Sequence, residues 1–162
     1  MNIGYKKLQN NYIAKLEILG KTNENRKNIA NLQYAKYRTS KVKVLEIFHM
    51  NDKTRVIKQM NGLYDINFVY TAGEEICIDN YDENINEVCS QGIHYFKTSE
   101  QAKMWQLPLY NYTGKYMDWY DDGNKMCEGE YKNGKPEGKF IGWYKSGNEM
   151  YEGEYKNGIQ RM

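Results

Sequence analysis

Cys89 and His94 are the one cysteine–histidine pair close together in this 162-residue sequence, so thiol chemistry is the first to weigh. A cysteine nucleophile needs a base within hydrogen-bond reach and a lowered pKa. A spacing of five sets the two on opposite faces of one strand. They meet only if Cys89 lies on a preceding loop and the chain turns at Gly92. The structural alternative is a buried thiol beside a histidine hydrogen-bonded to backbone. A zinc site drawn from Cys77, Cys89, His94 and His49 lacks the paired short spacings such sites use. Asp79, Asp82 and Glu83 offer carboxylates for calcium, without the glycine and closing glutamate of an EF-hand loop. The glycines fall in hairpin turns and form no phosphate-cradling loop. No metal and no cofactor are expected.

Charge points to a second kind of chemistry. The net charge of +2 conceals a polar chain: residues 1–58 carry 13 Lys/Arg against 4 acids, and residues 59–162 carry 10 against 17. Either the two halves neutralise each other, within the fold or across a homo-oligomer, or the basic half meets an anionic partner. Nucleic acid is one such partner, although the basic residues are dispersed among Asn and Tyr instead of clustered. Lys41 and Lys43 share a strand face by period two, and Arg38 precedes them. With His94 and Tyr95 they are the candidate ligand-binding residues.

The elements that must position these groups are mostly strands. Tyr12–Leu19 and Lys41–Phe48 alternate, the second most cleanly, with Val42, Val44, Leu45, Ile47 and Phe48 between charges. Thr54–Met60, Asn67–Tyr70 and Glu75–Ile78 read as further strands, and Gly92–Phe96 as a short buried one carrying His94. In that setting the His94 ring is expected to be buried and anchored by a hydrogen bond. Thr98, with Gln101 three residues on, makes a capping box for a helix over Ser99–Gln106, with Ala102 and Trp105 inward and Pro108 as its stop. Met1–Asn11 shows no period and reads as a loose arm, and Gly20–Asn31 as a polar loop.

The last third repeats itself. Shifted by 24, Gly114–Gly134 falls on Gly138–Gly158 with 14 of 21 positions identical. A period of this size marks a repeat architecture. Each unit reads as a hairpin: Lys115–Tyr120 and Lys125–Tyr131 flank Asp121-Asp122-Gly123-Asn124, and Asn133-Gly134 turns the chain between units. Gly129 and Gly153 lie inside strands, which fits an aromatic ring from a neighbouring strand lying over each. Glu128, Glu130, Glu152 and Glu154 form an outward acidic stripe. Two units are too few to stand alone, so the repeats are expected to extend a sheet of the preceding domain. The spacing resembles the MORN repeat over residues 112–158. That resemblance implies stacked hairpins serving as a spacer, a dimerisation surface or a partner platform.

A second resemblance covers about residues 12–105. Lys36–Ile47, Phe68-Val69-Tyr70 with Gly73-Glu74, and above all Cys89-Ser90-x-Gly92-Ile93-His94-x-Phe96 are similar to an uncharacterised domain of giant DNA viruses and phages. It implies a viral, intracellular protein and supplies no catalytic map. Tyr37 stands where that pattern often has Cys, which argues against a thiol or metal role there.

The expected fold is α+β and mostly antiparallel β: an arm over 1–11, a small mixed domain over 12–108, and a hairpin sheet over 109–162 that extends it. Sixteen Tyr and three Trp against four Phe favour half-exposed aromatic surfaces over an oily interior. No segment is apolar enough for a membrane span or a signal peptide, and three cysteines without a pattern suit a reducing, cytoplasmic setting. Two functions stay open. One is a non-catalytic viral interaction protein that binds a protein partner or sequesters a small anionic, nucleotide-like ligand. The other is a small enzyme acting on a nucleotide through Cys89, Ser90 and His94. A pocket where His94, Arg38 and a tyrosine converge would favour a ligand site.

Overall fold

The structure, a computed structural model, describes residues 1–161. Its centre is the antiparallel pair the alternation predicts, β2 (Tyr12–Ile18) against β4 (Lys41–His49), in a register that sets Ile13 opposite Phe48 and Leu16 opposite Val44. A bulge after Lys15 shifts the pairing, and side chains on both faces of β2 are buried. On one face Ala14, Leu16, Val42, Val44 and Ile47 make the main core with Tyr37, Ile93 and Tyr95. On the other, Ile13 and Phe48 pack with Phe96 and Ala102. β5 (Asp52–Ile57) and β8 (Glu75–Cys77) share the far edge of β4, and β6 (Gln59–Asn61) pairs with β7 (Val69–Thr71). Two further strands, β3 (Tyr37–Thr39) and β9 (Ile93–Tyr95), form a small sheet of their own, with Arg38 opposite His94.

The N-terminus corrects the reading of a loose arm. β1 (Ile3–Lys7) pairs with β2 from Ile3–Glu17 to Lys7–Ile13. Its other side reaches β9's continuation: Tyr5 and Phe96 exchange backbone hydrogen bonds at 2.7 and 2.8 Å. The physical reason it has no readable period is its residue types. Gly4 is buried because the Tyr95 ring would lie 2.6 Å from any Cβ there, and Lys7 is buried as a lysine.

The helix, α1 (Ser99–Met104), starts as its cap requires: Thr98 Oγ1 accepts from Gln101 N at 3.2 Å. It stops two residues early, before Pro108 can act. There Lys7 Nζ donates to the carbonyls of Lys103 and Trp105 at 2.9 and 2.7 Å, satisfying the free carbonyls of the helix end. Ala102 is buried as expected, and Trp105, although it is the C-cap, packs partly buried against the same cluster.

The repeats build one five-stranded meander: β10 (Gly114–Trp119), β11 (Lys125–Lys132), β12 (Lys135–Trp143), β13 (Glu149–Lys156) and β14 (Ile159–Arg161). Phe140 covers Gly129, where a Cβ would lie 2.1 Å from its ring. At Gly153 the expected aromatic is replaced by the Gln160 side chain. Tyr116, Tyr131, Phe140 and Tyr155 run edge to face along the sheet. The acidic stripe is partly neutralised, since Lys125 pairs with Glu128 and Lys139 with Glu152, each at 2.9 Å.

The sheet does not extend one in the preceding domain; among the described residues none of its strands pairs outside it. It is attached by its first turn instead. The carbonyl of Asp122 accepts from Ala30 N and Asn31 N, and that of Asp121 from Lys36 N and from Arg26 Nη2. Beside the turn, Trp119 stacks on Tyr34 with centroids 5.4 Å apart and planes 2° from parallel. The docking uses the carbonyls of a turn and, among the described residues, leaves the outer edge of β10 unpaired with the preceding domain.

Candidate functional site

Arg38 is the largest departure from the expected site. It is 0% exposed, and its guanidinium is spent on backbone carbonyls: Nε to Glu87 at 2.7 Å, Nη2 to Asn84 at 2.7 Å, and Nη1 to Asp82 and Gln91. The ring of Tyr81 lies 4.8 Å from its charge. Loop 80–92 is thus wrapped around a guanidinium as other loops wrap a metal ion; four of its five N–H groups are used, and burial keeps the fifth from an external anion. Tyr95 is likewise structural, 1% exposed, with its hydroxyl on Glu24 and burial raising its pKa. Lys41 and Lys43 do share a face, beside Glu75, which Lys41 approaches at 3.8 Å; Arg38 does not join them.

His94 sits where the sequence places it, on the strand opposite Arg38. Its Nε2 is 3.1 Å from the carbonyl of Val88. A carbonyl only accepts, so Nε2 carries the proton. Burial, and then the charges of Lys6 and Lys36, hold its pKa down to about 4, and the ring is neutral at pH 7. Cys89 is exposed, against the structural alternative of a buried thiol. Its sulfur lies 4.0 Å from Lys36 Nζ and 4.0 Å from Asp121 Oδ2, so thiol and imidazole use different partners and form no dyad. Among the described residues, no three His, Cys, Asp or Glu side chains gather as a metal site requires, and no helix is long and apolar enough to cross a membrane.

What His94 does line is a cavity of about 240 Å³. β1 brings Lys6 to it, the residue before β3 brings Lys36, and Phe96, Trp105 and Tyr64 supply aromatic walls. Lys6 Nζ donates to the carbonyl of His94 at 3.1 Å. Lys36 Nζ stands 4.4 Å from the Trp105 ring centroid, within cation–π range. Among the described residues no carboxylate lines this space. Burial, with the like charge of Lys36, lowers the Lys6 pKa to about 8. A second cavity of about 370 Å³ shares Lys6, Leu63, Tyr64 and His94, and runs on to the amides of Asn80 and Gln91.

Sequence reasoning therefore found His94 and missed Lys6 and Lys36. The convergence of His94 with Arg38 is replaced by its convergence with two lysines. The one signal in the sequence, their place in the basic half, they share with the other 11 of the 13 Lys/Arg of residues 1–58, so it does not single them out.

Fold and site together define a mostly antiparallel α+β protein with a cationic, aromatic-walled cavity and a docked repeat sheet. A family model described as a family of unknown function (DUF5758) matches residues 1–102, and the chain belongs to that family. No curated protein and no solved structure matches it.

Proposed function

We propose that this protein binds a small organic anion with a planar or apolar body, nucleotide-like in shape, in the cavity between β1, β9 and α1, and holds it without consuming it. The observation that carries this reading is a pair of ammonium groups, Lys6 and Lys36, facing an aromatic-walled space that no carboxylate lines. Two like charges in one partly buried cavity repel each other and resist desolvation, which is the cost that an entering anion relieves. Trp105, Phe96 and Tyr64 offer flat apolar surface to the rest of such a ligand.

The repeat sheet, with its resemblance to MORN arrays, serves in this reading as a platform for a protein partner or a second copy. The resemblance of residues 12–105 to a viral domain makes the host cytoplasm the place of action, and removal of a host signalling anion the benefit. The Cys89–His94 enzyme reading has no geometry in its favour.

The test is titration calorimetry with adenosine 5′-monophosphate, adenosine and inorganic phosphate. The monophosphate is expected to bind best, about tenfold more weakly in Lys36→Met, and with an affinity that falls as salt rises. Equal binding of adenosine and its monophosphate, or no effect of Lys36→Met, overturns the reading.

A further inference from the structure

The three cavity lysines are not equivalent. Burial lowers the Lys7 pKa to about 8 as well, but its Nζ is held by two carbonyls at the end of α1 and the residue is buried, so it is structural. Lys36 Nζ lies over the face of Trp105, which favours the cation, and stands beside Cys89, whose neighbour is the Asp121 carboxylate. Lys6 Nζ has one hydrogen bond, to the His94 carbonyl, and meets only the like charge of Lys36. A neutral amine keeps that bond with one N–H and leaves its lone pair free. An ammonium keeps it too, but with its charge uncompensated. Of the two, Lys6 is therefore the amine whose surroundings favour loss of its proton.

We propose that Lys6 is a carbonyl-reactive amine, so that the cavity captures anions bearing an aldehyde or ketone as reversible imines. The idea rests on the anion-binding reading and adds a covalent step to it. Lys36 holds the anionic group. The Lys6 lone pair attacks the carbonyl carbon, and the C=O π electrons pass to oxygen. The nitrogen loses a proton and the oxygen gains one, giving a carbinolamine. Its hydroxyl is protonated and leaves as water, and loss of the second N–H proton leaves C=N. The sum is amine plus carbonyl to imine plus water, with no oxidant or reductant required. Hydrolysis reverses it, which suits capture rather than turnover. A lysine at about 8, against an ordinary 10.5, supplies free amine at neutral pH. That is about three hundredfold more than a lysine at the ordinary value offers.

Pyridoxal 5′-phosphate, an aromatic aldehyde phosphate, is the probe, and its alcohol, pyridoxine 5′-phosphate, is the control that cannot form an imine. The protein is incubated with the aldehyde, reduced with borohydride and mapped by peptide mass spectrometry. Lys6 is expected to be labelled about tenfold faster than any other lysine, with a midpoint near pH 8. The alcohol should compete, and Lys6→Arg should lose the adduct while still binding the alcohol. Lys36→Gln, which keeps Lys6, should slow labelling about tenfold and serves if Lys6→Arg does not fold. Labelling that favours Lys36, or scatters over surface lysines while the alcohol binds, overturns the covalent step alone. Failure of the alcohol to bind overturns the anion cavity beneath it.

Discussion

The two copies of the repeated unit share 14 of 21 residues, yet they occupy different surroundings. Their turns are built alike: Tyr120 N bonds Asn124 O at 2.8 Å, and Tyr144 N bonds Asn148 O at 2.8 Å. The first turn is seated in the preceding domain through the Asp121 and Asp122 carbonyls, Arg26 and the Trp119–Tyr34 stack. The second is exposed from Tyr144 to Asn148. Where the first copy has Asp121-Asp122, the second has Lys145-Ser146, so the copies diverge at the residues that dock. Local sequence fixes the turn, and context decides what the turn is worth.

The strongest way to break this contrast is to dismantle the seat. Arg38→Met takes a donor from four loop carbonyls and leaves those of Asp82 and Glu87 with none among the described residues, and that loop carries Cys89 against Asp121. Stability to urea should fall by about 3 kcal/mol or more. A fall below about 1 kcal/mol would mean that water replaces the guanidinium and the loop is not organised by it.

Next comes a matched pair of glycines. Gly123 and Gly147 have φ of +94° and +95°, so Ala costs both the same backbone strain. At Gly123 the new Cβ would clash with Asn31 O at 2.2 Å, whereas at Gly147 it makes an ordinary contact with Asn124 Nδ2 at 3.8 Å. Gly123→Ala should exceed Gly147→Ala by about 2–3 kcal/mol in equilibrium unfolding. Equal costs would show that the first turn is not docked in solution.

A third comparison moves from the turns to the strands. An added methyl at Gly129 meets the Phe140 ring at 2.1 Å, whereas at Gly153 it meets the flexible Gln160 side chain at 2.9 Å and the Tyr155 ring edge at 3.3 Å. Gly129→Ala should cost about 2 kcal/mol and Gly153→Ala less than about 1. Reversal of that order would place the better-packed end of the sheet at the second copy.

The smallest effect is a titration within the part that seats the first copy. His94 falls from 6.5 unfolded to about 4 folded. The unfolded chain therefore binds the extra proton between these values, and stability is lost as pH drops from 6.5 towards 4. Between about pH 5.5 and 5 the loss should reach about 1–2 kcal/mol and be absent in His94→Gln, as read from melting temperature against pH. A parent and variant with parallel acid limbs would show that the His94 ring takes up its proton in place.

Much of the architecture was legible. β4 showed itself by clean alternation of Val42 and Val44 with charges, the helix by its Thr98–Gln101 cap, and the meander by Asn-Gly turns, with Asn133 and Asn157 at φ of 51° and 52°. β1 was hidden because a pattern reads lysine as exposed and glycine as a breaker, while Lys7 and Gly4 are both interior. Arg38 was hidden for the same reason, since nothing local announces that four carbonyls from residues 82–91 will surround it. His94 was found because its own neighbours, Ile93 and Tyr95, are apolar. Lys6 and Lys36 were not, because what makes them a site lies elsewhere in the chain.

That distance has a consequence for synthesis. Each strand of the repeat meander pairs with the strand just made, so the sheet forms as it emerges. β1 can pair with β2 early, but Tyr5 waits for Phe96, and Lys6 Nζ reaches a carbonyl 88 residues away. Lys7 closes a still longer loop onto Lys103 and Trp105. Closure across such separations is the entropically slow part of folding. A nascent chain halted before Phe96 would already hold its central strands and have no cavity at all, so the cavity is completed after the central sheet and before the repeat sheet is made.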